Sequence, residues 1–412
     1  MEVLTTASEV SWVTLVEQPR TQELAAFVSL FGLAAIPQDI VESCFESWDE
    51  KDRSDAWDRL MSLHLVGQDE TLHPIVREFL TVKLDERSDC EELRGRYARA
   101  IVVAADQYCK QTMDQTEVQA AKVYETHWLD FNQRQSEENF GIAIASICMS
   151  LGLLYRSMGL YAKAEPLYQR ALTINEKQLG PDHPSTGASL NNLAGLYESM
   201  GRYDEPESLY QRALAISEKQ LGLDHPSTGA SLNNLAELYR SMGRYTEAKP
   251  LYQRALAINE KQLGPDHPDT GNNLNNLALL YRSMGHYSEA EPLLQRALTI
   301  SKKQLGPDHP DTGTSLNNLA GLYESMGRYA EAEPLYQRAL TISEQQLGPD
   351  HPSTGTRLNN LALLYFNTDR LPEAAALMSR VVTIFEKALG NDHPNTNVIR
   401  ENLQVIEARI GN

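Results

Sequence analysis

The sequence predicts an all-α fold in which a helical hairpin repeats along most of the chain, apart from one small β-hairpin near the amino terminus. Three observations support this prediction. The dipeptide His-Pro recurs every 42 residues, at His183, His225, His267, His309, His351 and His393. Each interval holds two segments whose apolar residues recur at helical spacing. Glycine and proline stand between these segments, where helices end and begin. A fixed period of this length indicates stacked helical units.

The two helices of each copy follow from its apolar pattern. We number the copies 1 to 6, beginning at residues 141, 183, 225, 267, 309 and 351, and position 393 opens half a unit. In copy 2 the first helix carries an apolar stripe at Leu190, Leu193, Ala194 and Tyr197. The second helix carries one at Leu209, Tyr210, Ala213, Leu214 and Ile216. Gly201, between them, suits the left-handed conformation that ends a helix. Before the first helix, Asp182 is expected to supply a capping oxygen, with Pro184 in the first turn.

This pattern resembles the tetratricopeptide repeat. Its small and large apolar residues appear in copy 3 as Leu232, Leu235, Ala236 and Tyr239, and then as Ala248, Tyr252 and Ala255. The 42-residue form, with Leu-Asn-Asn-Leu-Ala and Leu-Gly-Pro-Asp-His-Pro, is similar to the repeats of kinesin light chain and related bacterial proteins. The resemblance implies a right-handed helical solenoid over residues 139–412. Copy 2 departs at Pro206, where the other copies carry alanine, so its proline lies two residues closer to the helix start.

Residues 1–87 do not share the repeat and are predicted to form a separate module. A first helix is expected to be capped by Thr21, and further helices are predicted over 38–48 and 53–63. Two short strands follow in 63–73, before a closing helix over 73–84. This order resembles the winged helix that follows the nucleotide-binding core in signal-transduction ATPases with repeats. The residues that carry the resemblance are Leu30, Phe31, Leu63–Val66 and Leu72–Leu80.

Residues 88–138 are predicted to be a helical connector, with helices over 91–108 and 116–131. The predicted organisation is therefore a winged-helix-like module (1–87), the connector (88–138) and the repeat solenoid (139–412). The solenoid contains six repeats and a capping helix over 395–410. The charged residues of that helix suit one solvated face: Arg400, Glu401, Glu407 and Arg409.

Charge and cysteine content restrict the function classes. The net charge is −19, and residues 1–140 hold 13 basic and 27 acidic side chains, which leaves 24 and 29 for the remainder. No segment has the excess of basic residues that nucleic-acid or anionic-membrane binding needs, so neither partner is expected. The four cysteines lack paired spacing, and no secretory leader or apolar run of membrane-spanning length is apparent, so a cytoplasmic location is expected.

The sequence predicts no metal site, cofactor, catalytic residue or small-molecule substrate. Histidines one repeat apart should lie about 10 Å from each other, too far to share an ion. There is no Gly-x-x-x-x-Gly-Lys-Ser/Thr loop for ATP and no Gly-x-Ser-x-Gly nucleophile motif. The abundant carboxylates recur with the unit, as expected for solvated helix faces.

The candidate site is a row of asparagines on the first helices. With about 100° of rotation per residue, the Asn-Asn pair of each copy lies opposite the apolar stripe. The resemblance places this side in a concave groove, formed by Asn191, Asn192, Asn233, Asn234, Asn275, Asn276, Asn317, Asn318, Asn359 and Asn360. Arg156, Arg240 and Arg282 stand on the same side. Asparagine offers an acceptor and two donors, which suits the backbone of an extended peptide. Alternatively, these pairs cross-link neighbouring first helices and bind nothing.

We therefore predict a non-enzymatic protein–protein interaction scaffold whose groove binds a peptide or a partner loop. The alternative prediction is the sensor half of a signalling ATPase whose nucleotide-binding core is on another chain. A DNA-binding regulator is a third alternative, which the acidity of residues 1–140 disfavours.

Overall fold

The structure is a computed structural model that describes residues 18–31, 36–63, 66, 74–85, 87–108, 125–133, 136–391 and 394–411. The described residues form helices and contain no strand. The amino-terminal helices are α1 (Pro19–Val28), α2 (Gln38–Cys44), α3 (Glu50–Ser62), α4 (Pro74–Asp85), α5 (Cys90–Tyr108) and α6 (residues 125–133). The repeat helices are α7 (Glu137–Ser157), α8 (Tyr161–Gln178), α9 (Pro184–Ser199), α10 (Pro206–Gln220), α11 (Pro226–Ser241), α12 (Tyr245–Gln262), α13 (Pro268–Ser283), α14 (Tyr287–Gln304), α15 (Pro310–Ser325), α16 (Tyr329–Gln346), α17 (Pro352–Asn367), α18 (Leu371–Leu389) and α19 (Pro394–Ile410). The prediction of an all-α repeat fold is confirmed.

The described residues divide into two compact units, which meet in sequence between Leu151 and Gly152. The first unit packs around aromatic rings in edge-to-face contact. The ring of Phe27 lies 5.0 Å from that of Phe45 and 5.9 Å from that of Tyr97, between centroids. The predicted β-hairpin at 63–73 lies almost wholly outside the described residues, as does most of the predicted helix at 116–131.

The predicted cap of the first helix is wrong. Helix α1 begins at Pro19 with Gln18 as its N-cap, and Thr21 is buried inside the first turn. Proline explains the earlier start, because its fixed φ suits a first turn and its missing N–H is not needed there. Helix α3 does have a side-chain cap, since the carboxylate of Asp49 accepts the N–H of Asp52 over 2.7 Å.

Each first helix of copies 2 to 6 begins at the proline of His-Pro, with the histidine as its N-cap. In copy 2 the Nδ1 of His183 accepts the N–H of Ser185 over 3.1 Å. The prediction that Asp182 supplies the cap is therefore wrong. Its carboxylate instead pairs with Lys219 of copy 2, with 2.5 Å between Oδ2 and Nζ. Because Nδ1 is the acceptor, each capping ring carries its proton on Nε2 when neutral.

A buried threonine hydroxyl closes the loop before each of these helices. In copy 2 the hydroxyl of Thr186 donates to the carbonyl of Gly180 over 2.8 Å, and the bond recurs with Thr228, Thr270, Thr312 and Thr354. The turn inside the hairpin is closed by Gly201, whose φ is 74°, while Arg202 donates its N–H to the carbonyl of Tyr197 over 2.9 Å. The left-handed glycine predicted at this turn is thus present.

The displaced proline of copy 2 shortens its second helix. Helix α10 begins at Pro206, whereas the second helices of copies 1 and 3 begin three residues earlier in the repeat, at Tyr161 and Tyr245. The chain before Pro206 is a turn, and Tyr203 is exposed there. Proline in a first turn removes no hydrogen bond of the helix. The second helix of copy 2 is therefore shorter than those of its neighbours, but it is not interrupted.

Ion pairs join the second helices of neighbouring copies. Arg212 of copy 2 pairs with Glu176 of copy 1, and the same pair recurs as Arg254–Glu218 and Arg296–Glu260. Copy 4 carries Lys302 where the other copies have an acid, and copy 5 carries Gln345 in place of a lysine. Arg338 of copy 5 therefore has no acid at position 302 and pairs with Asp308. Carboxylates that the sequence predicted to be only solvated therefore form ion pairs, although each exposed pair contributes little to the free energy of unfolding.

One described helix, α7, is long and apolar enough to cross a membrane by length and composition. Its most apolar window has a mean hydropathy of 1.5, and 56% of that window is buried inside the protein. Buried core helices pass the same test. Within the described part, Cys44, Cys90 and Cys148 form no disulfide with one another.

Candidate functional site

Copies 1 and 6 touch each other in the repeat unit. The Nε2 of His351 lies 2.8 Å from the carbonyl oxygen of Ser157. A Cβ placed on Gly159 would lie 3.2 Å from Cγ of Pro352, whereas the equivalent Gly201, Gly243, Gly285 and Gly327 meet nothing within 4 Å. We call this contact between copies 1 and 6 the seam. Because the seam joins the first copy to the sixth, the first helices between them surround a central space.

That space is a polar cavity of about 510 Å³, a volume in the usual range for ligand sites. Its lining comes from all six copies and includes Arg156, Tyr161, Asn191, Asn192, Tyr210, Asn234, Asn272, Asp311, His351 and Ser353. Four of the thirteen predicted site residues thus line it: Arg156, Asn191, Asn192 and Asn234. The other nine do not.

The first asparagine of copies 2 and 4 binds a serine of the next copy. The Nδ2 of Asn191 donates to the hydroxyl of Ser231 over 3.0 Å, and that of Asn275 to Ser315 over 2.9 Å. Their side-chain oxygens are buried and have no hydrogen-bond partner in the described structure. These asparagines therefore cross-link first helices and still present an unused acceptor.

The first asparagine of copies 3 and 5 is an acceptor instead. Asn276 donates to Asn233 over 3.1 Å, and Asn360 donates to Asn317 over 3.0 Å. The reason lies in the following copy, which carries Asn273 or Arg357 at the serine position and so offers no small hydroxyl there. In copy 6, Asn359 donates to its neighbour Asn360 over 3.5 Å. Cross-linking is thus a real role of the asparagine row, while peptide binding stays a prediction.

Three asparagines have no hydrogen-bond partner for their side chains among the described residues, and we call them uncommitted. The side chains of Asn192, Asn234 and Asn318 form no hydrogen bond with any residue that the structure describes. All three are partly buried, and the first two line the cavity. These amides have donors and an acceptor free for a ligand.

The predicted arginines lie in two different environments. Arg240 pairs with Glu237 on its own helix, and this hydrogen bond raises the pKa of the guanidinium above its usual value. Arg156 and Arg282 lie instead over glycines of the following copy. A Cβ on Gly195 would be 3.2 Å from Nη1 of Arg156, and one on Gly321 would be 2.5 Å from Nη1 of Arg282. Glycine thus leaves room for each guanidinium against the next helix.

A tyrosine–glutamate pair lies beside each of these glycines. The hydroxyl of Tyr210 donates to Glu198 over 3.3 Å, and that of Tyr336 donates to Glu324 over 2.8 Å. Burial raises the pKa of the Glu198 carboxyl, and the negative charge of Glu237 raises it further. Arg282 is held by the hydroxyl of Ser325 over 3.0 Å, whereas Arg156 forms no ion pair or hydrogen bond among the described residues.

Sequence reasoning missed the part of the cavity lining that comes from copies 4 to 6. Asn272, Asp311 and His351 lie at or near the amino-terminal ends of the first helices of copies 4, 5 and 6. Burial raises the pKa of the Asp311 carboxyl and lowers that of the His351 ring. The near-buried Arg357 lies close by, and burial lowers its pKa to about 10. These residues approach the asparagines only because the seam closes, for which one copy's sequence carries no signal.

The repeated histidines serve as helix caps. In the described part of the chain, no three His, Cys, Asp or Glu side chains come together in a way that could hold a metal ion.

Comparison with known proteins identifies the repeat. The model of the tetratricopeptide repeat family matches residues 143–219, 190–261, 227–303, 289–345 and 311–387. Mouse (Mus musculus) nephrocystin-3 is 37% identical over 65 residues, which are 16% of this chain and only 5% of the length of that relative.

Three solved structures show the range of similar proteins. A putative kinesin light chain of Podosopora anserina with nearly identical TPR-like repeats is 32% identical over 48% of this chain and 93% of its own, with a TM-score of 0.40. A signal transduction ATPase with a tetratricopeptide repeat sensor from Pyrococcus horikoshii is 15% identical, covering 95% of this chain and 60% of its own, with a TM-score of 0.50. A Rap protein complexed with Competence and Sporulation Factor is 14% identical, covering 91% and 99%, with a TM-score of 0.53. The last two likenesses concern the fold alone.

Members of this family are generally non-catalytic and generally mediate protein–protein interaction. Since the family model matches more than half of the sequence and its matches fall on the capped hairpins of copies 1 to 6, the chain belongs to the tetratricopeptide repeat family.

Proposed function

We propose that this protein is a non-enzymatic interaction scaffold that binds an extended peptide or a partner loop on the inner face of copies 1 to 6. The observation that carries the proposal is the pair of uncommitted amides, Asn192 and Asn234, in the wall of the central cavity. Beside them, the buried oxygen of Asn191 lacks a donor.

The chemistry of these groups matches a peptide backbone. Each backbone unit offers one N–H and one C=O, and each asparagine amide can satisfy both. A buried acceptor without a partner costs about 1–3 kcal/mol, which a ligand N–H would recover at Asn191. The cross-links through Ser231 and Ser315 hold the first helices in register, so the free amides need little ordering on binding.

Known members of the fold support a protein or peptide partner. The family generally mediates protein–protein interaction, and one structure of similar fold is a complex with Competence and Sporulation Factor. A cytoplasmic location remains part of the proposal, as do the absence of catalysis and the absence of a nucleic-acid partner.

A random peptide library displayed on phage tests the proposal on the full chain. We expect selected peptides to bind the wild type and to lose about tenfold or more in affinity with the double variant N192A/N234A, since each lost hydrogen bond costs about 1 kcal/mol. The control is R212A, which removes an outer ion pair with Glu176. Selected peptides that bind both variants as tightly as the wild type would contradict a site on the inner face.

A second candidate function is the sensor half of a signalling ATPase, with residues 1–87 as its winged-helix-like module. The observation in its favour is the Pyrococcus horikoshii ATPase, whose likeness extends over 95% of this chain. The sequence lacks a phosphate-binding loop, so this chain alone should bind no ATP. Purification of the tagged full chain, followed by labelling of the eluate with a photoreactive ATP analogue, tests it. A labelled partner supports the sensor role, and an unlabelled eluate contradicts it.

A further inference from the structure

We propose that the inner site takes a short free peptide and holds both of its charged ends, the α-carboxylate at Arg156 and the α-ammonium at Asp311. This inference rests on the proposed function and chooses between its two ligand classes, the free peptide and the partner loop. Three features of the repeat unit carry it: the closed seam, two charges of opposite sign that form no ion pair with a described lysine, arginine or carboxylate, and amides in the same cavity lining.

The seam restricts how a ligand enters. The hydrogen bond between His351 and Ser157 and the packing of Pro352 against Gly159 join copy 1 to copy 6. A loop has two continuing chains, and both must leave the site. In an open groove they leave sideways, whereas here the first and last copies are in contact at the seam. A short free peptide has no such requirement and fits inside a space of about 510 Å³.

Arg156 is the cation of the site. It belongs to copy 1 and lies over Gly195 of copy 2, where glycine leaves its guanidinium accessible. No described carboxylate lies within ion-pair distance of it, whereas Arg240 on the first helix of copy 3 pairs with Glu237 and Arg282 on that of copy 4 is bonded to Ser325. A planar guanidinium without a partner in a partly buried site favours a carboxylate, which it can bind through two hydrogen bonds.

Asp311 is the anion of the site. It belongs to copy 5 and lies in the first turn of α15. Its carboxylate is 3.8 Å from Nδ1 of His309, but that nitrogen already accepts the N–H of Asp311 and is not a donor. The nearby Arg357 directs its Nη2 to the hydroxyl of Thr314 and its Nη1 to the carbonyl of Ser353. Asp311 thus forms no ion pair with a described lysine or arginine, and an ammonium group would complement it.

The amides in the same lining suit a peptide backbone. Asn192, Asn234 and Asn272 line the same cavity, and the oxygen of Asn191 accepts nothing in the described structure. A small zwitterion without amides would leave these groups unsatisfied, whereas a short peptide carries amides between its charged ends. The arrangement therefore selects a free oligopeptide over a single amino acid.

Combinatorial pools of tetrapeptides in four chemical forms test the inference on the full chain. The forms have both ends free, the amino end acetylated, the carboxyl end amidated, or both ends blocked. A fifth pool presents the same tetrapeptides inside a surface loop of a carrier protein. Native mass spectrometry selects binders, and calorimetry measures their affinities. We expect the free form to bind at least about tenfold more tightly than either singly blocked form, because each charged hydrogen-bonded contact is stronger than a neutral one.

Single variants assign each end of the peptide to the residue that binds it. In R156A, amidation should no longer weaken binding, while acetylation still should. In D311N, acetylation should no longer weaken binding, while amidation still should. The matched controls are D269N, the same helix position in copy 4, where the side chain is outside the cavity, and the outer R212A; both should respond to both blocks as the wild type does. Melting temperatures confirm that each variant is folded. Equal affinity for free and loop-presented tetrapeptides would overturn the inference and leave the proposed function intact. Binding in none of the five forms would overturn both.

Discussion

The Nε2 of His351 lies 2.8 Å from the carbonyl oxygen of Ser157, a residue 194 positions earlier in the chain. The other nitrogen of the same ring, Nδ1, accepts the N–H of Ser353 over 3.1 Å. Since Nδ1 must accept, the donor is Nε2, and the ring is neutral in this arrangement. One imidazole therefore caps helix α17 and closes the seam between copies 1 and 6.

Acid should weaken the repeat unit through this ring. Burial holds the pKa of His351 below its usual 6.5, and the charge of Arg357 lowers it further, although the bond to Ser157 opposes both. A histidine whose folded pKa is lowered stabilises the fold fully above 6.5, and this stability is lost as the pH falls below that value. Denaturant titrations at pH 7.5 and 5.5 should show a smaller pH effect in H351N, whose asparagine caps without titrating. Equal pH effects in both proteins would contradict the prediction.

The cap and the seam can be separated by comparing two histidines. His225 caps α11 with the same bond to Ser227, but its ring has no described contact with a distant copy. We expect H225A to cost about 1 kcal/mol of unfolding free energy, for one lost cap. H351A should cost roughly 1 kcal/mol more, because the bond to Ser157 is lost as well. Chemical denaturation at pH 7.5 measures both. Equal losses would mean that the seam adds no stability.

Gly152 should resist replacement although it lies within a helix. It stands where the five following copies have alanine, and a Cβ there would lie 2.7 Å from Cδ1 of Tyr168. We expect G152A to lose about 1–3 kcal/mol through overpacking, in spite of alanine's better helix propensity. The control G95A adds its methyl 3.5 Å from the end of Arg99 and should gain up to about 1 kcal/mol. A stabilised G152A would show that Tyr168 moves aside freely.

Most of the repeat helices could be predicted from the sequence because their causes are local. The stripe of Leu232, Leu235 and Ala236 and the left-handed Gly243 act within one copy, and the helices begin and end accordingly. The identity of the cap could not be predicted in the same way. Asp182 and His183 are adjacent, and both carry a hydrogen-bond acceptor. The carboxylate of Asp182 pairs with Lys219, 37 residues later in the chain, and is not the cap.

The inner site could be predicted from the sequence only in part, because some of its causes lie outside a single copy. Helical rotation alone places Asn192 and Asn234 opposite the apolar stripe. The lining from copies 5 and 6 depends on the rotation that accumulates over five copies, so the sequence could not assign Asp311 and His351 to the site. The state of each asparagine also depends on the next copy: Ser231 accepts a hydrogen bond that Asn273 does not.

The two units should unfold separately. All four tryptophans, Trp12, Trp48, Trp57 and Trp128, precede residue 152, whereas copies 1 to 6 are helical and contain none. Tryptophan fluorescence should therefore report the first unit, and far-ultraviolet circular dichroism mainly the repeats. We expect different denaturation midpoints for the two probes. Coincident curves would mean one cooperative unit.

The most direct test of the central claim compares free and cross-linked asparagines for both stability and binding. N192A/N234A removes amides without a described partner, so its unfolding free energy should change by about 0.5 kcal/mol per site or less, while the affinity for selected peptides should fall about tenfold or more. N275A removes the bond to Ser315 and should lose about 1 kcal/mol of stability or more, while its folded form binds within about threefold of the wild type. A double variant that loses stability but binds the selected peptides with wild-type affinity would contradict the account.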